Sequence, residues 1–218
     1  RQLVPVDNSI DPGAETVTYD QFDSLGKAKR ISDFAADLPM VNVSGLQCSQ
    51  RMQSYGAAFG YSLQEIKAAA MGRRPLERMR AMAARKTLDL QLDEVAAVGD
   101  STAGLKGLLS LASTTSFTLG TKGAGGLTWA VATPTEILAD LSGIVTQVVV
   151  DTKEVERPTR IVLPTSQFEL IKNTARSATS DTTILGFFLD THPGLEVTSW
   201  ERLAGAGAAT TDRMVAYD

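Results

Sequence analysis

SLQEIKAAAMGRRPLERMRAMAARKTLDLQLDEVAAV, residues Ser62–Val98, is the stretch that decides the fold. Ser62 and Glu65 have the spacing of a capping box, in which each side chain satisfies a free N–H at the start of a helix. Gly72 is typical of a helix end, and Pro75 suits the first turn of the next helix. Residues 75–98 are therefore predicted to form one long helix of roughly 36 Å.

The apolar stripe of this predicted helix is incomplete. Five apolar residues lie near one face, but Lys86, Thr87 and Glu94 interrupt it; the five are Leu76, Met79, Ala83, Leu90 and Ala97. A long charged helix with so weak a stripe is a poor wall for an enzyme pocket. It is better suited to be a spine against which neighbouring subunits pack.

The charges of the same helix are arranged against its dipole, which favours acids at the start and bases at the end. The bases come first, and Asp89, Asp93 and Glu94 come last. The basic residues are Arg73, Arg74, Arg78, Arg80, Arg85 and Lys86. One interpretation is a solvated face that tolerates a small cost per charge. The other is that neighbouring subunits or nucleic acid compensate these charges.

Composition excludes several classes of protein. The chain has 218 residues, enough for one large or two small domains, and its net charge of −4 gives no global basic footprint for sequence-specific nucleic-acid binding. One cysteine, Cys48, cannot make an internal disulfide framework. No run of 18 apolar residues occurs, so we expect no transmembrane helix and no membrane partner. Because the chain starts at Arg1 and stops after a strand-like run, we expect a piece of a longer chain or a processed form.

The first 59 residues indicate an arm followed by a two-stranded excursion. Residues 1–15 contain prolines and no helical period, which indicates an extended arm. Thr16–Phe22 alternates and is β-branched, so it is predicted to be a strand, with Leu46–Phe59 as the returning strand. A long isolated ribbon is only marginally stable in water, so we expect it to lie on something else.

The second half has a different pattern. Thr133 and Glu136 form a second capping box, which starts a predicted helix over residues 134–151. A short buried strand, two helices and two further strands follow, at Arg160–Leu163, Ser166–Ala175, Asp181–Leu189, Leu195–Trp200 and Arg213–Tyr217. This order predicts a compact unit over residues 134–218 with helices covering a small sheet, and an α+β class for the chain.

No motif in the chain predicts catalysis, a cofactor or a metal. Gly120–Gly126 lacks the order of a phosphate-binding loop and is predicted to be a flexible loop or hairpin tip. Gly99–Ala103 is one residue short of a nucleophile elbow and follows a helix, which favours a turn. The single histidine, His192, precedes Pro193 and Gly194 and is predicted to cap a helix. One histidine and one cysteine cannot build an ordinary zinc site.

The order of these elements resembles the tailed-bacteriophage major capsid proteins of the HK97-like fold. The resemblance rests on Ser62–Ala69, on the long helix that ends in Val98-Gly99-Asp100, and on Gly104–Leu109. In the second half, Arg160–Phe168 and Asp212–Tyr217 are similar to a strand-into-helix and a later strand of the axial domain. The single motifs are soft, whereas their order is specific and spans essentially the whole chain.

The resemblance implies a domain division and a function. Residues 1–15 would be an arm remnant, 16–59 the extended loop over a neighbouring subunit, 60–133 the peripheral domain with its spine helix, and 134–218 the axial domain. The C-terminal return to the peripheral domain is not found, so we expect the full-length product, rather than this stretch alone, to assemble. Lys27, Lys29 and Arg30 would be inter-subunit contacts of the loop.

The implied function is structural. Copies would form pentamers and hexamers of an icosahedral shell, in the virion, after assembly in the bacterial cytoplasm. The shell would enclose double-stranded DNA bound without sequence preference, with scaffold, portal or decoration proteins as further partners. Two alternatives stay open: an encapsulin-like compartment shell, and a soluble α/β enzyme with a cleft around Gly99–Gly107.

Overall fold

The computed structural model describes residues 3–4, 6–11, 13–25, 30, 40, 42–72, 75–112, 114–123 and 125–218. The chain divides into two compact units, Arg1–Leu108 and Leu109–Asp218. The first contains β1 (Thr16–Leu25), β2 (Asn42–Arg51), α1 (Leu63–Met71), α2 (Leu76–Val98), β3 (Gly99–Asp100) and β4 (Leu105–Lys106). The second contains α3 (Pro134–Asp151), β5 (Arg160–Leu163), α4 (Thr165–Asn173), α5 (Ile184–Thr191), β6 (Glu196–Ser199) and β7 (Val215–Tyr217). Short 3₁₀ turns lie at Leu108–Ser110, Trp129–Val131, Glu201–Leu203 and Ala208–Thr210.

Strands β1 and β2 form an antiparallel ribbon whose register runs from Thr16 opposite Arg51 to Leu25 opposite Asn42. The prediction placed the returning strand too late in the chain, at Leu46–Phe59. Its actual bounds follow from the ladder, because the N–H of Met52 donates to the carbonyl of Glu15 and closes the pairing there. The following residues, up to Ser62, belong to no helix or strand.

Helices α1 and α2 begin and end close to the predicted residues. The N–H of Ser62 donates to Glu65 Oε2 at 3.0 Å. At the other end of α1, the N–H of Gly72 donates to the carbonyl of Ala68. Helix α2 runs without interruption from Leu76 to Val98 and ends at Gly99, whose φ of 88° favours glycine. The long helix is therefore confirmed.

The core of the described residues lies in the second unit. Its buried apolar residues pack around α3 and the three-stranded sheet, and they are Trp129, Ile137, Leu141, Ile144, Ile161, Leu163, Ile171, Ile184 and Phe188. Strand β5 is central, parallel to β6 and antiparallel to β7. Its apolar run of Ile161, Val162 and Leu163 is buried, as expected for a strand covered on both faces.

The segment before α3 belongs to this second unit. Phe117 packs so closely on the helix that a Cβ added at Gly143 would lie 2.5 Å from its ring. Thr133 caps α3, since its hydroxyl oxygen accepts the N–H of Glu136. The compact unit thus begins at Leu109, before the predicted axial domain at residue 134. The division into peripheral and axial domains stays a prediction.

The two helices after β5 are shorter than predicted. Helix α4 ends at Asn173, and α5 begins at Ile184 because Thr183 is its cap and accepts the N–H of Gly186. His192 ends α5: its backbone N–H donates to the carbonyl of Phe188, and its ring nitrogen Nδ1 lies 3.2 Å from the same oxygen. The predicted capping role of His192 is confirmed.

Candidate functional site

The β1–β2 ribbon is exposed on both faces. Nine of the ten residues of β2 are exposed, and Cys48 is half-buried. Large apolar side chains of the ribbon face solvent, with Phe22 at 71% and Leu46 at 63% of full exposure. Cys48 lies opposite Tyr19, and its hydrogen bond raises the pKa of the Tyr19 phenol. A ribbon with apolar side chains on exposed faces is suited to contact another surface.

The outer side of α2 also carries exposed apolar residues. Met79, Met82, Leu90 and Leu92 are each more than half exposed. The predicted stripe was wrong in this respect, because Met79 and Leu90 were expected on the packed face. Among the described residues of the first unit, Ala97 is the one buried apolar side chain. This unit therefore contains too little core to account for its own order.

The predicted basic cluster divides into three groups. Arg78, Arg85 and Lys86 are exposed, and their side chains form no ion pair within the described part of the chain. Arg80 is half-buried, and its guanidinium pairs with Glu65 at 2.7 Å. Arg73 and Arg74, like Lys27 and Lys29 of the extended loop, lie outside the described residues, whereas Arg30 is described and exposed.

Two polar contacts hold the residues after the ribbon to α2 and its end. Arg80 bridges α1 and α2 through Glu65 and also lies over the ring of Tyr61, 5.3 Å from its centroid. Tyr55 donates to Asp100 Oδ2 at 3.0 Å, just beyond α2. Sequence reasoning missed both contacts, because they join residues 15 and 45 positions apart.

Hydrogen bonds lower the pKa of both carboxyls involved. The backbone N–H of Ser62, followed by the Arg80 guanidinium, lowers the pKa of Glu65. The hydroxyl of Tyr55 and the backbone N–H of Thr102 lower the pKa of Asp100. Both groups therefore favour the charged form that holds these contacts.

The region around Gly99–Gly107 is filled by backbone and is not a cleft. A Cβ at Gly107 would lie 2.5 Å from the backbone of Ala97, and one at Gly99 would collide with the carbonyl of Leu105. Strands β3 and β4 pair in antiparallel fashion here, directly after α2, so glycine is needed where the two backbones approach closely. The expected turn is confirmed, and the enzyme alternative loses its cleft.

A groove of about 430 Å³ lies between α1 and α2, and it is lined by Tyr61, Ile66, Ala69, Ala70, Leu76 and Glu77. Within the residues that the structure describes, no group of three or more acidic, histidine or cysteine side chains could hold a metal ion. In the same residues, no helix is long and apolar enough to cross a membrane.

A buried polar network anchors the glycine-rich segment Gly120–Gly126, which was predicted to be a flexible loop or hairpin tip. The Nζ atom of Lys122 lies 2.6 Å and 2.5 Å from the two carboxylate oxygens of Asp140, and both residues are buried. Trp129 Nε1 donates to Asp140 Oδ2 at 2.8 Å, and the N–H of Gly123 donates to Glu136. The segment is a loop with a tight turn, since the N–H of Gly125 donates to the carbonyl of Lys122, and the buried ion pair ties this turn to α3.

Comparison with known proteins identifies the family of this chain. A family profile described as Major capsid protein matches residues 26–218. The chain belongs to the major capsid protein family. The solved structure titled "The capsid of Myoviridae Phage XM1" has a similar fold, with 17% identity and a TM-score of 0.72 over 94% of this chain and 69% of that chain. Comparison with curated proteins finds no match.

The family match and the shared fold confirm the central prediction. The protein is a capsid protein of a structural family, and its α+β fold is similar to that of the solved phage capsid. As a capsid protein it assembles with copies of itself and is part of the virion. Neither the compartment shell nor the enzyme alternative is favoured.

Proposed function

We propose that this capsid protein builds a closed icosahedral shell of pentamers and hexamers around double-stranded DNA. The observation that supports this most directly is the first unit, in which the described residues bury one apolar side chain while many others are exposed. Since apolar burial is the main source of folding free energy, these exposed apolar side chains favour stabilising contacts with further copies. Head-to-tail contacts that close by rotation give rings of five and six.

The proposed roles of the segments follow the predicted division. Residues 16–59 lie over a neighbouring subunit, 60–133 form the peripheral domain, and 134–218 form the axial domain at the capsomer centre. The packing of Phe117 and Trp129 against the core of the second unit favours an axial domain that begins earlier, near Leu109. Assembly takes place in the host cytoplasm, with scaffold, portal or decoration proteins as further partners.

The basic residues at the start of the long helix face packaged DNA or other subunits in this proposal. Contacts with phosphate are independent of sequence and weaken as salt rises. The cluster comprises Arg73, Arg74, Arg78, Arg80, Arg85 and Lys86. Arg80 also pairs with Glu65, so its reversal would disturb the subunit itself.

The test is electron microscopy of the full-length protein produced in bacteria. Closed shells are expected from the natural sequence, whereas a compact monomer would contradict the proposal. Replacing Arg73, Arg74 and Arg78 together by Glu, with Arg80 left in place because it pairs with Glu65, should prevent closed shells while circular dichroism still shows a folded subunit. The matched control replaces the same three residues by Lys, which keeps the charge. Normal, DNA-filled shells from the Glu variant would refute the role of these charges.

A further inference from the structure

Between Arg78 and Leu92 the outward face of α2 is a strip of exposed side chains, and the half-buried Asp93 follows at its end. From the start of the helix to Leu88, its half-buried residues recur every four positions, at Leu76, Arg80, Ala84 and Leu88, and mark the face turned toward the rest of its unit. Opposite them, at the helical spacing of about 100° per residue, lie exposed residues of three kinds. They are the bases Arg78, Arg85 and Lys86, the apolar Met82 and Leu92, and the acid Asp89.

This strip is complementary to the same strip of a second copy when the two helices run antiparallel. Its first half carries the bases and its second half carries the acid, so an antiparallel copy sets opposite charges against each other. Arg85 and Asp89 are equally far from Thr87, one on each side, and the same is true of Met82 and Leu92. A two-fold axis at the level of Thr87 therefore pairs Arg85 with Asp89 twice, and Met82 with Leu92 twice.

The same pairing accounts for a charge order that is unfavourable within one helix. Bases near the N-terminus and acids near the C-terminus oppose the macrodipole of α2. In an antiparallel pair, the N-terminal half of each helix lies beside the C-terminal half of the other. Each basic half then faces both the acid and the negative dipole end of its partner, so the arrangement that is unfavourable alone becomes favourable in the pair.

We infer that α2 forms an antiparallel, two-fold contact with α2 of a second copy of this chain, centred on Thr87. The contact is isologous, because the same patch meets itself, and it would join neighbouring rings of subunits. It consists of two Arg85–Asp89 ion pairs flanked by two Met82–Leu92 contacts. The inference rests on the proposed shell and names one of its interfaces. It assigns Arg85 to a protein contact rather than to DNA.

The test uses two single charge reversals in the full-length protein, Arg85→Glu and Asp89→Arg. Each changes two attractive pairs into two repulsive pairs at every contact. Because exposed ion pairs are individually weak but two of them become repulsive at every contact, each reversal should raise the protein concentration needed for assembly on the order of tenfold. Light scattering measures assembly, electron microscopy identifies shells, and circular dichroism shows that each variant is folded.

Mixing the two variants gives the decisive readout. When a subunit carrying Arg85→Glu meets one carrying Asp89→Arg, both positions of the contact again hold opposite charges, one pair in the natural order and one with reversed polarity. The mixture should therefore assemble near the concentration of the natural protein. The matched control is Glu94→Arg, an exposed acid of the same helix about 140° round from Asp89. This control should assemble normally. An effect of the same size at Glu94 would show only sensitivity to net charge and would overturn the inference.

Failure of the inference and failure of the shell proposal give different results. If the natural protein forms shells and both single variants form them at the same concentration, the α2 contact is refuted while the shell stands. The contact is also refuted if both variants are defective and their mixture stays defective. If the natural protein forms no shells, the proposed function fails first.

Discussion

Removing the charge of Asp140 should destabilise the second unit strongly. In Asp140→Asn the amide keeps the shape of the side chain and can still accept the Trp129 N–H, but Lys122 keeps its positive charge. That lysine is 4% exposed, so water cannot replace the lost carboxylate. Breaking a buried ion pair by removing one partner costs about 3–5 kcal/mol, because the other charge is left uncompensated.

Urea denaturation followed by tryptophan fluorescence measures this effect. The two tryptophans of the chain, Trp129 and Trp200, are both buried in the second unit, so their emission reports on its unfolding. With a slope of about 2 kcal/mol per M, a loss of about 3–5 kcal/mol lowers the midpoint by about 1.5–2.5 M. Lys122→Met should give a loss of similar size, since it leaves the carboxylate as the unpaired charge.

The double variant Lys122→Met, Asp140→Asn distinguishes the coupling between the two charges from the separate effect of each substitution. It buries no charge, and the asparagine still accepts the indole N–H, so it should be more stable than either single variant. The reasoning is refuted if the two single losses simply add in the double variant. A midpoint shift of less than about 0.5 M for Asp140→Asn would also refute it.

Three further changes test other parts of the structure. Gly107→Ala should leave the first unit poorly folded by circular dichroism, because its Cβ would meet helix backbone at 2.5 Å, while Gly120→Ala, with open space around it, should be neutral. Thr133→Ala should lower the free energy of unfolding by about 1 kcal/mol in the same urea assay, since it removes a helix cap; an unchanged midpoint would contradict this. Tyr55→Phe should raise the pKa of Asp100 in a carbon-13 NMR titration, because the hydroxyl holds that pKa below its ordinary 3.8. A carboxyl with a lowered pKa stabilises the fold above its unfolded pKa and loses this contribution as pH falls through the folded pKa, so the variant should lose less stability below about pH 4.

Local chemistry was enough to predict the elements with strong signals. Ser62, Gly72 and Pro75 fixed the ends of the first two helices, and the apolar run at Arg160–Leu163 gave the central strand. The order of these elements then led to the family. These predictions succeeded because caps, glycines and continuous apolar runs act within a few residues of the chain.

Contacts between residues far apart in the chain account for the features that could not be predicted from the sequence. Lys122 lies in a Gly- and Thr-rich stretch with no periodicity, and nothing local indicates that it meets Asp140, 18 positions away. The stripe on the long helix was misjudged because in this subunit its packed side contains Arg80, a charged residue held by Glu65. Hydrophobic periodicity finds buried faces poorly where a half-buried charge takes the place of an apolar side chain.

The hydrogen-exchange rate of the backbone amides in the exposed β1–β2 ribbon should report whether a subunit has assembled. These amides are held by cross-strand hydrogen bonds while both faces of the ribbon meet water, so in the free subunit they can open without disrupting a core. Deuterium should therefore enter the ribbon early and the central strand β5 late. Once a neighbour covers the ribbon, the same amides should become slow, and the time at which their uptake falls would date the moment when each subunit joins its shell.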